Sequence, residues 1–155
     1  MIEYRDAEGK FERLPAVAAE LVALKVDVIV ASGTLAALAA KHATGRIPIV
    51  FPTVGDPVTD GLVISLARPG GNVTGLSNFT PELVGKWLEL LTQAIAAVSQ
   101  VAILWQPGGF VERTRLDVRK RAELAGRTLG MRLQFVEVRA PEDFERASRT
   151  LPERA

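Results

Sequence analysis

The sequence predicts an α/β fold in which parallel strands are flanked by helices. Three observations carry that expectation. Short apolar runs rich in β-branched residues alternate with longer segments of helical periodicity. Two of those runs, Val26–Ala31 (with Asp27 its one charged residue) and Ile47–Phe51, are otherwise apolar, as strands buried on both faces are. The second run then opens into the polar loop Pro52-Thr-Val-Gly-Asp-Pro57, and in open α/β sheets ligands bind at that carboxyl edge.

Taken in order, Ile2–Arg5 is a short strand candidate. Phe11–Leu24 places Phe11, Leu14, Val17, Ala18, Leu21 and Val22 at helical spacing, with Pro15 tolerable only in the first turn. Val26–Ala31 follows as a strand. Thr34–Ala43 is an Ala-rich helix that Gly45 is placed to stop. After the strand Ile47–Phe51, Pro57–Leu66 is expected to be a helix with Asp56 as N-cap and Pro57 at its first position. Arg68–Asn72 is a turn and Val73–Leu76 a short strand. Thr80-Pro81 opens the most strongly patterned helix, whose stripe of Leu83, Val84, Trp87, Leu88, Leu91, Ala94 and Ile95 predicts a buried face. Val101–Trp105 is a strand, Val111–Leu129 a helix ended by Gly130, Met131–Val138 a strand, and Pro141–Leu151 a final helix. The strand and helix rhythm restarts after the Gly-rich turn, so we divide the chain into 1–78 and 79–155.

Composition removes several function classes. Nineteen basic and eighteen acidic side chains nearly cancel, so no basic stripe suits a nucleic acid. The locally basic Arg113–Arg121 interleaves with Glu112, Asp117 and Glu123 and fits a solvated helix face. The chain has no cysteine, which excludes disulfides and thiol catalysis. No run is long enough for a membrane span, and the first residues carry no export signal. His42 has no partner at metal-ligand spacing, and no Walker motif, dinucleotide fingerprint or Gly-x-Ser-x-Gly elbow occurs. We therefore expect neither a cofactor nor covalent chemistry.

The candidate binding residues lie in loops that follow strands. Ser32, Gly33 and Thr34 open a helix, where unpaired N–H groups and the positive end of the macrodipole attract carboxylates and phosphates. Ser32 or Thr34 is equally well read as a cap of its own helix. In the next loop, Thr53 and the backbone at Val54 and Gly55 are candidate contacts. Asp56 either pairs with a ligand ammonium or caps the segment after it. Ser77 and Asn78 are small hydrogen-bonding groups where the chain crosses into its second half. Phe79 either stacks on a solute or staples the helix that Thr80 caps. Trp105 ends a strand and either lines a cleft or is buried.

Four segments carry a family resemblance: Tyr4-Arg-Asp-Ala-Glu-Gly-Lys-Phe-Glu-Arg-Leu-Pro15, Asp27-Val-Ile-Val-Ala-Ser-Gly-Thr34, Ile47-Pro-Ile-Val-Phe-Pro-Thr-Val-Gly-Asp-Pro57 and Ala67-Arg-Pro-Gly-Gly-Asn-Val-Thr-Gly-Leu-Ser77. Over most of residues 2–145 the chain resembles the substrate-binding components of ABC transporters, in the branch that binds tryptophan, tyrosine or related small organic solutes. The resemblance implies a periplasmic binding protein-like architecture of two α/β lobes, with a solute held in the cleft between them. It also implies a periplasmic or lipid-anchored extracellular protein that docks on a membrane permease. Against that pattern the sequence begins after the first strand and helix of lobe one and stops within lobe two, so each half is expected to be a partial lobe. A chain with such open sheet edges is expected to self-associate. The alternative readings are a ligand-sensing regulatory domain of the same two-lobe fold and an α/β enzyme using Asp56.

Overall fold

The computed structural model describes residues 1–78 and 81–150, with side chains to residue 147. The expectations that fell on Phe79, Thr80 and Leu151 lie outside the described residues. The chain forms two compact units, one of Met1–Thr80 with Val111–Thr114 and one of Pro81–Phe110 with Arg115–Ala155.

In the first unit a 3-10 turn at Phe11–Arg13 leads into α1 (Leu14–Ala23). Pro15 sits in the first turn of α1, where an N–H would have no intrahelical partner anyway. Lys25, at positive φ, ends this segment, its N–H bonded to the Val22 carbonyl. Then follow β1 (Ile29–Val30), α2 (Thr34–Ala43), β2 (Ile49–Val54) and β3 (Val73–Ser77). The three strands form one parallel sheet in the order β1-β2-β3. Ile29, Ile49 and Val73 are in register across it and all three are buried. Ala37 and Ala40 of α2 are fully buried beside Ile49 and Phe51, since a methyl-sized side chain lets a helix lie close to a sheet. Gly75 is the register partner of Phe51, and a Cβ there would lie 2.6 Å from the ring Cγ.

Asn72 pins the entry to β3. Its side-chain amide donates to the carbonyls of Thr44 (3.0 Å) and Ile47 (2.7 Å), which fixes the connection from α2 to β2. Pro52 interrupts β2, and the register with β3 shifts between Phe51 and Val54. Proline has no ladder N–H, so an irregularity is what a sheet tolerates there.

Two expectations for this unit are corrected. Ile2–Arg5 is not a strand: its residues are exposed, and Arg5 is occupied by Glu3 and Glu20. Two apolar residues alternating with charges have the strand pattern, but strand pairing also needs a neighbour, and the sheet supplies none there. Pro57–Leu66 is not a helix but a set of turns. One helical turn begins, with Asp60 N–H bonded to the Asp56 carbonyl, and Gly61 at φ 76 ends it. Val58 and Thr59 are β-branched, so little local preference resists that glycine. The buried part of this segment is Leu62 and Val63, and the Lys41 ammonium donates to the carbonyls of Gly61 and Leu62.

The second unit contains α3 (Leu83–Ala94), β4 (Gln100–Trp105), α4 (Glu112–Thr128), β5 (Arg132–Glu137) and α5 (Pro141–Thr150). The first residues of α4 group with the first unit. β4 and β5 pair in parallel from Gln100↔Arg132 to Trp105↔Glu137. Gly126 lets α4 approach β5, because a Cβ there would lie 2.8 Å from Leu133. Gly130, at φ 69, ends the helical segment, and the next N–H, of Met131, bonds to the Gly126 carbonyl. Arg119 and Arg121 pair with Glu123 and Asp117 along α4, and Arg121 also pairs with Glu82. Leu88 is buried as expected, and Leu91 and Ile95 are partly so. Trp87 departs from the expected core, being 48% exposed with Leu83 and Leu90 on the same side of α3. The apolar arc of this helix is wider than the surface that covers it.

Candidate functional site

The site is built where β1, β2 and β3 end. Parallel strands present all their carboxyl ends at one edge, so the loops after them meet there. Gly55 is the point of convergence. Its N–H donates to the Thr34 hydroxyl oxygen at 3.4 Å, and its carbonyl accepts from the Ser77 hydroxyl at 2.5 Å. Gly33 N–H donates to the Thr53 carbonyl at 3.2 Å, and Asn78 N–H to the Val54 carbonyl at 3.2 Å. Four hydrogen bonds, each spanning twenty residues or more, thus tie three loops into one surface.

The same bonds divide the candidate residues by what they have left to offer. Thr34 does not cap α2; its N-cap is Gly33, at φ 89, a conformation glycine adopts without strain. The Thr34 oxygen instead holds the neighbouring loop. Gly33, Val54 and Gly55 have backbone groups engaged between loops, so they shape the surface rather than reach into it. Val54 is also buried. Ser32 is exposed and Thr53 partly so, and neither hydroxyl has a partner among the described residues. The first N–H groups of α2 stand beside them without intrahelical acceptors.

Asp56 caps the turn after β2. Its Oδ1 accepts from the N–H groups of Val58 (3.2 Å) and Thr59 (3.0 Å). That is the capping role weighed from the sequence, although it caps turns rather than the expected helix. Asn78 is exposed. Trp105 belongs to the second unit; it is half-buried, with the Arg115 guanidinium 5.4 Å from its ring centroid.

Sequence reasoning missed one polar pair. Thr114 is fully buried and its hydroxyl donates to the Asp60 carboxylate. Burial pushes the Asp60 carboxyl above its usual range; the Thr114 bond opposes this, Asp56 adds to it, and Arg113 lowers it. The two residues are 54 positions apart, and neither lies in a recognisable motif. Among the described residues no acidic or histidine cluster could hold a metal ion, and no helix is long and apolar enough to cross a membrane.

Comparison with known proteins bears on the family and the fold. The family model described as "ABC transporter substrate binding protein" matches residues 1–155. A curated tyrosine-binding protein of Clostridioides difficile is 33% identical over 116 residues, covering 75% of this chain and 33% of that protein. A solved structure of a conserved domain protein from Vibrio cholerae is similar with a TM-score of 0.81 at 30% identity, over 96% of this chain and 48% of that one. An ABC domain from Streptococcus pneumoniae, solved in complex with L-tryptophan, has a TM-score of 0.75 at 24% identity, over 92% and 48% of the two chains. That last likeness bears on the fold alone. The chain thus spans about a third of the curated relative and about half of these solved structures.

Proposed function

The chain belongs to the family of ABC transporter substrate-binding proteins, and we propose that its share of the work is to hold a small organic solute at the carboxyl edge of the β1-β2-β3 sheet. The observation that carries this reading is the tied loop surface around Gly55, which leaves the Ser32 and Thr53 hydroxyls unengaged beside the first turn of α2. An amino acid suits such a surface, and tyrosine is the solute named for the curated relative. Its carboxylate would face the N–H groups of α2 and the two hydroxyls. Its ammonium would face the Asp56 carboxylate, whose Oδ1 already holds the turn. In the intact protein the same proposal has the solute enclosed between two lobes and passed to a membrane permease. Ser77, Asn78 and Trp105 belong to the proposal as further contacts.

A thermal-shift panel of aromatic and branched amino acids, purines and small carboxylates tests it. A solute at about 100 times its dissociation constant should stabilise the chain by about 2.7 kcal/mol. Ser32→Ala and Thr53→Val should weaken that response without changing the melting temperature of the free chain, because neither hydroxyl is used by the fold. A panel with no response, or a response that both variants leave intact, would refute the reading.

A further inference from the structure

The buried Thr114 hydroxyl donates to the Asp60 carboxylate across 54 residues of sequence. Both residues belong to the first unit, which includes the start of α4. Threonine is stiff at χ1, so the backbone of α4 sets the direction of that hydroxyl. Asp60 closes the helical turn that begins at Asp56, directly after Gly55. Its N–H bonds to the Asp56 carbonyl at 3.0 Å, which sets the two side chains one turn apart on the same face. Asp56 in turn caps Val58 and Thr59. Two groups from other elements hold this turn. Lys41 of α2 binds backbone at its far end, on the Gly61 and Leu62 carbonyls. Thr114 of α4 binds a side chain, on the face that Asp56 shares.

We propose that Thr114 is a positioning residue for the solute site: by fixing Asp60 it fixes the turn that carries Asp56, and so where the Asp56 carboxylate stands for a solute ammonium. This rests on the solute-binding reading above and adds to it a residue that does not touch the solute. The Thr114 bond is charge-assisted while Asp60 is ionised and weaker once Asp60 is protonated, so the turn is held less firmly in acid. The groups around Asp60 are Asp56 in its own turn, Arg113 and Thr114 of α4, and the Lys41 ammonium at the next two carbonyls. Burial raises the Asp60 carboxyl above its ordinary value, so the bond weakens at a higher pH than it would for an exposed Asp. Burial outweighs the bond in overall stability, whereas the bond by itself favours the ionised form.

Thr114→Val keeps the side-chain shape and removes the donor, and Thr114→Ser keeps the donor. The probe is L-tyrosine, with its dissociation constant read by calorimetric titration from acid to neutral pH. In the free chain, NMR reads the Asp60 carboxyl titration and the amide exchange of Val58 and Thr59. At neutral pH Thr114→Val should weaken tyrosine binding by about threefold to tenfold. It should also speed exchange at Val58 and Thr59 and move the Asp60 titration upward, and Thr114→Ser should restore all three. The loss of affinity should shrink as pH falls through the folded Asp60 value, and in an Asp60→Asn background it should not vary with pH. Tyrosine affinity unchanged by Thr114→Val overturns the proposal and leaves the solute reading standing, as does a loss that is constant with pH in the chain that keeps Asp60. A chain with no response to tyrosine refutes the amino-acid reading of the site and the proposal with it. Should Thr114→Val not fold, Asp60→Ala, which removes the acceptor instead, decides by the same exchange and affinity measurements.

Discussion

Replacing Gly75 by Ala places a methyl group where the structure has none to spare. The added Cβ would meet the carbonyl oxygen of Phe51 and its ring, including Cγ at 2.6 Å. Neither can withdraw easily. The carbonyl belongs to the β2–β3 pairing, and the ring is 2% exposed, packed among the core residues of the first unit. Overpacking a filled core costs about 1–3 kcal/mol, and contact with backbone puts this site at the upper end. For a chain of this size 1 kcal/mol corresponds to about 2–4 °C, so the melting temperature should fall by on the order of 10 °C. Gly45→Ala is the matched control, since a Cβ there meets nothing within 4 Å and its φ is not in the left-handed region. Urea titrations of both variants, followed by circular dichroism, give the comparison. Should Gly75→Ala cost less than about 1 kcal/mol, or no more than Gly45→Ala, the close β2–β3 approach argued here is wrong.

Trp87→Ala should lose only about 1 kcal/mol, because half the ring is already exposed; a loss of 3–5 kcal/mol in the same titration would restore the packed-core reading. Asp60→Asn should stabilise the chain near neutral pH relative to the unaltered protein. The Asp60 folded value is raised above about 3.8, so the protonated carboxyl favours the fold, and that contribution is present in acid and lost as pH rises through the folded value. The amide stays neutral and still accepts from Thr114. Urea midpoints in acid and at neutral pH should therefore diverge in favour of the Asn variant as pH rises, and convergence would contradict the assignment. The Asp143 carboxylate behaves oppositely: the N–H groups of Arg139 and Ala140 hold its value down, so its contribution is lost as pH falls. Asp143→Asn should narrow the loss of stability in acid, and an unchanged acid limb would contradict that role.

Much of the fold was legible because its signals are local. Val26–Ala31 and Ile47–Phe51 announced strands by composition, though only Ile29–Val30 of the first is strand. Thr34–Ala43 announced a helix by its alanines, and Gly130 the stop of the helix before it, whereas Thr44 in extended conformation, not Gly45, ends α2. The site loops could be placed at one sheet edge because strand direction alone decides that. What was not legible depended on neighbours. Ile2–Arg5 has a strand's alternation without a partner strand, and Trp87 sits on an apolar stripe of which only the Val84 and Leu88 side is covered. Pro57–Leu66 carried a good N-cap, but the geometry at Gly61 overrode it. In the site, composition could say that Thr34 has a hydroxyl. Only the fold shows that Gly55 takes it while Ser32 and Thr53 stay unengaged.

The double hydrogen bond of Asn72 has a consequence for how the protein can be produced. Asn72, Val73 and Thr74 make an Asn-Val-Thr acceptor for N-linked glycosylation. The nitrogen that would carry the sugar is the one that donates to Thr44 and Ile47. A glycan there would remove at least one of those bonds and place a bulky polar group at the entry to β3. In a eukaryotic secretory host, glycosylation and folding therefore compete for one atom, and whichever comes first excludes the other. Material secreted from such a host should contain a glycosidase-sensitive fraction that melts lower than the bacterial product, and a glycosylated fraction of equal stability would show that the clamp is dispensable.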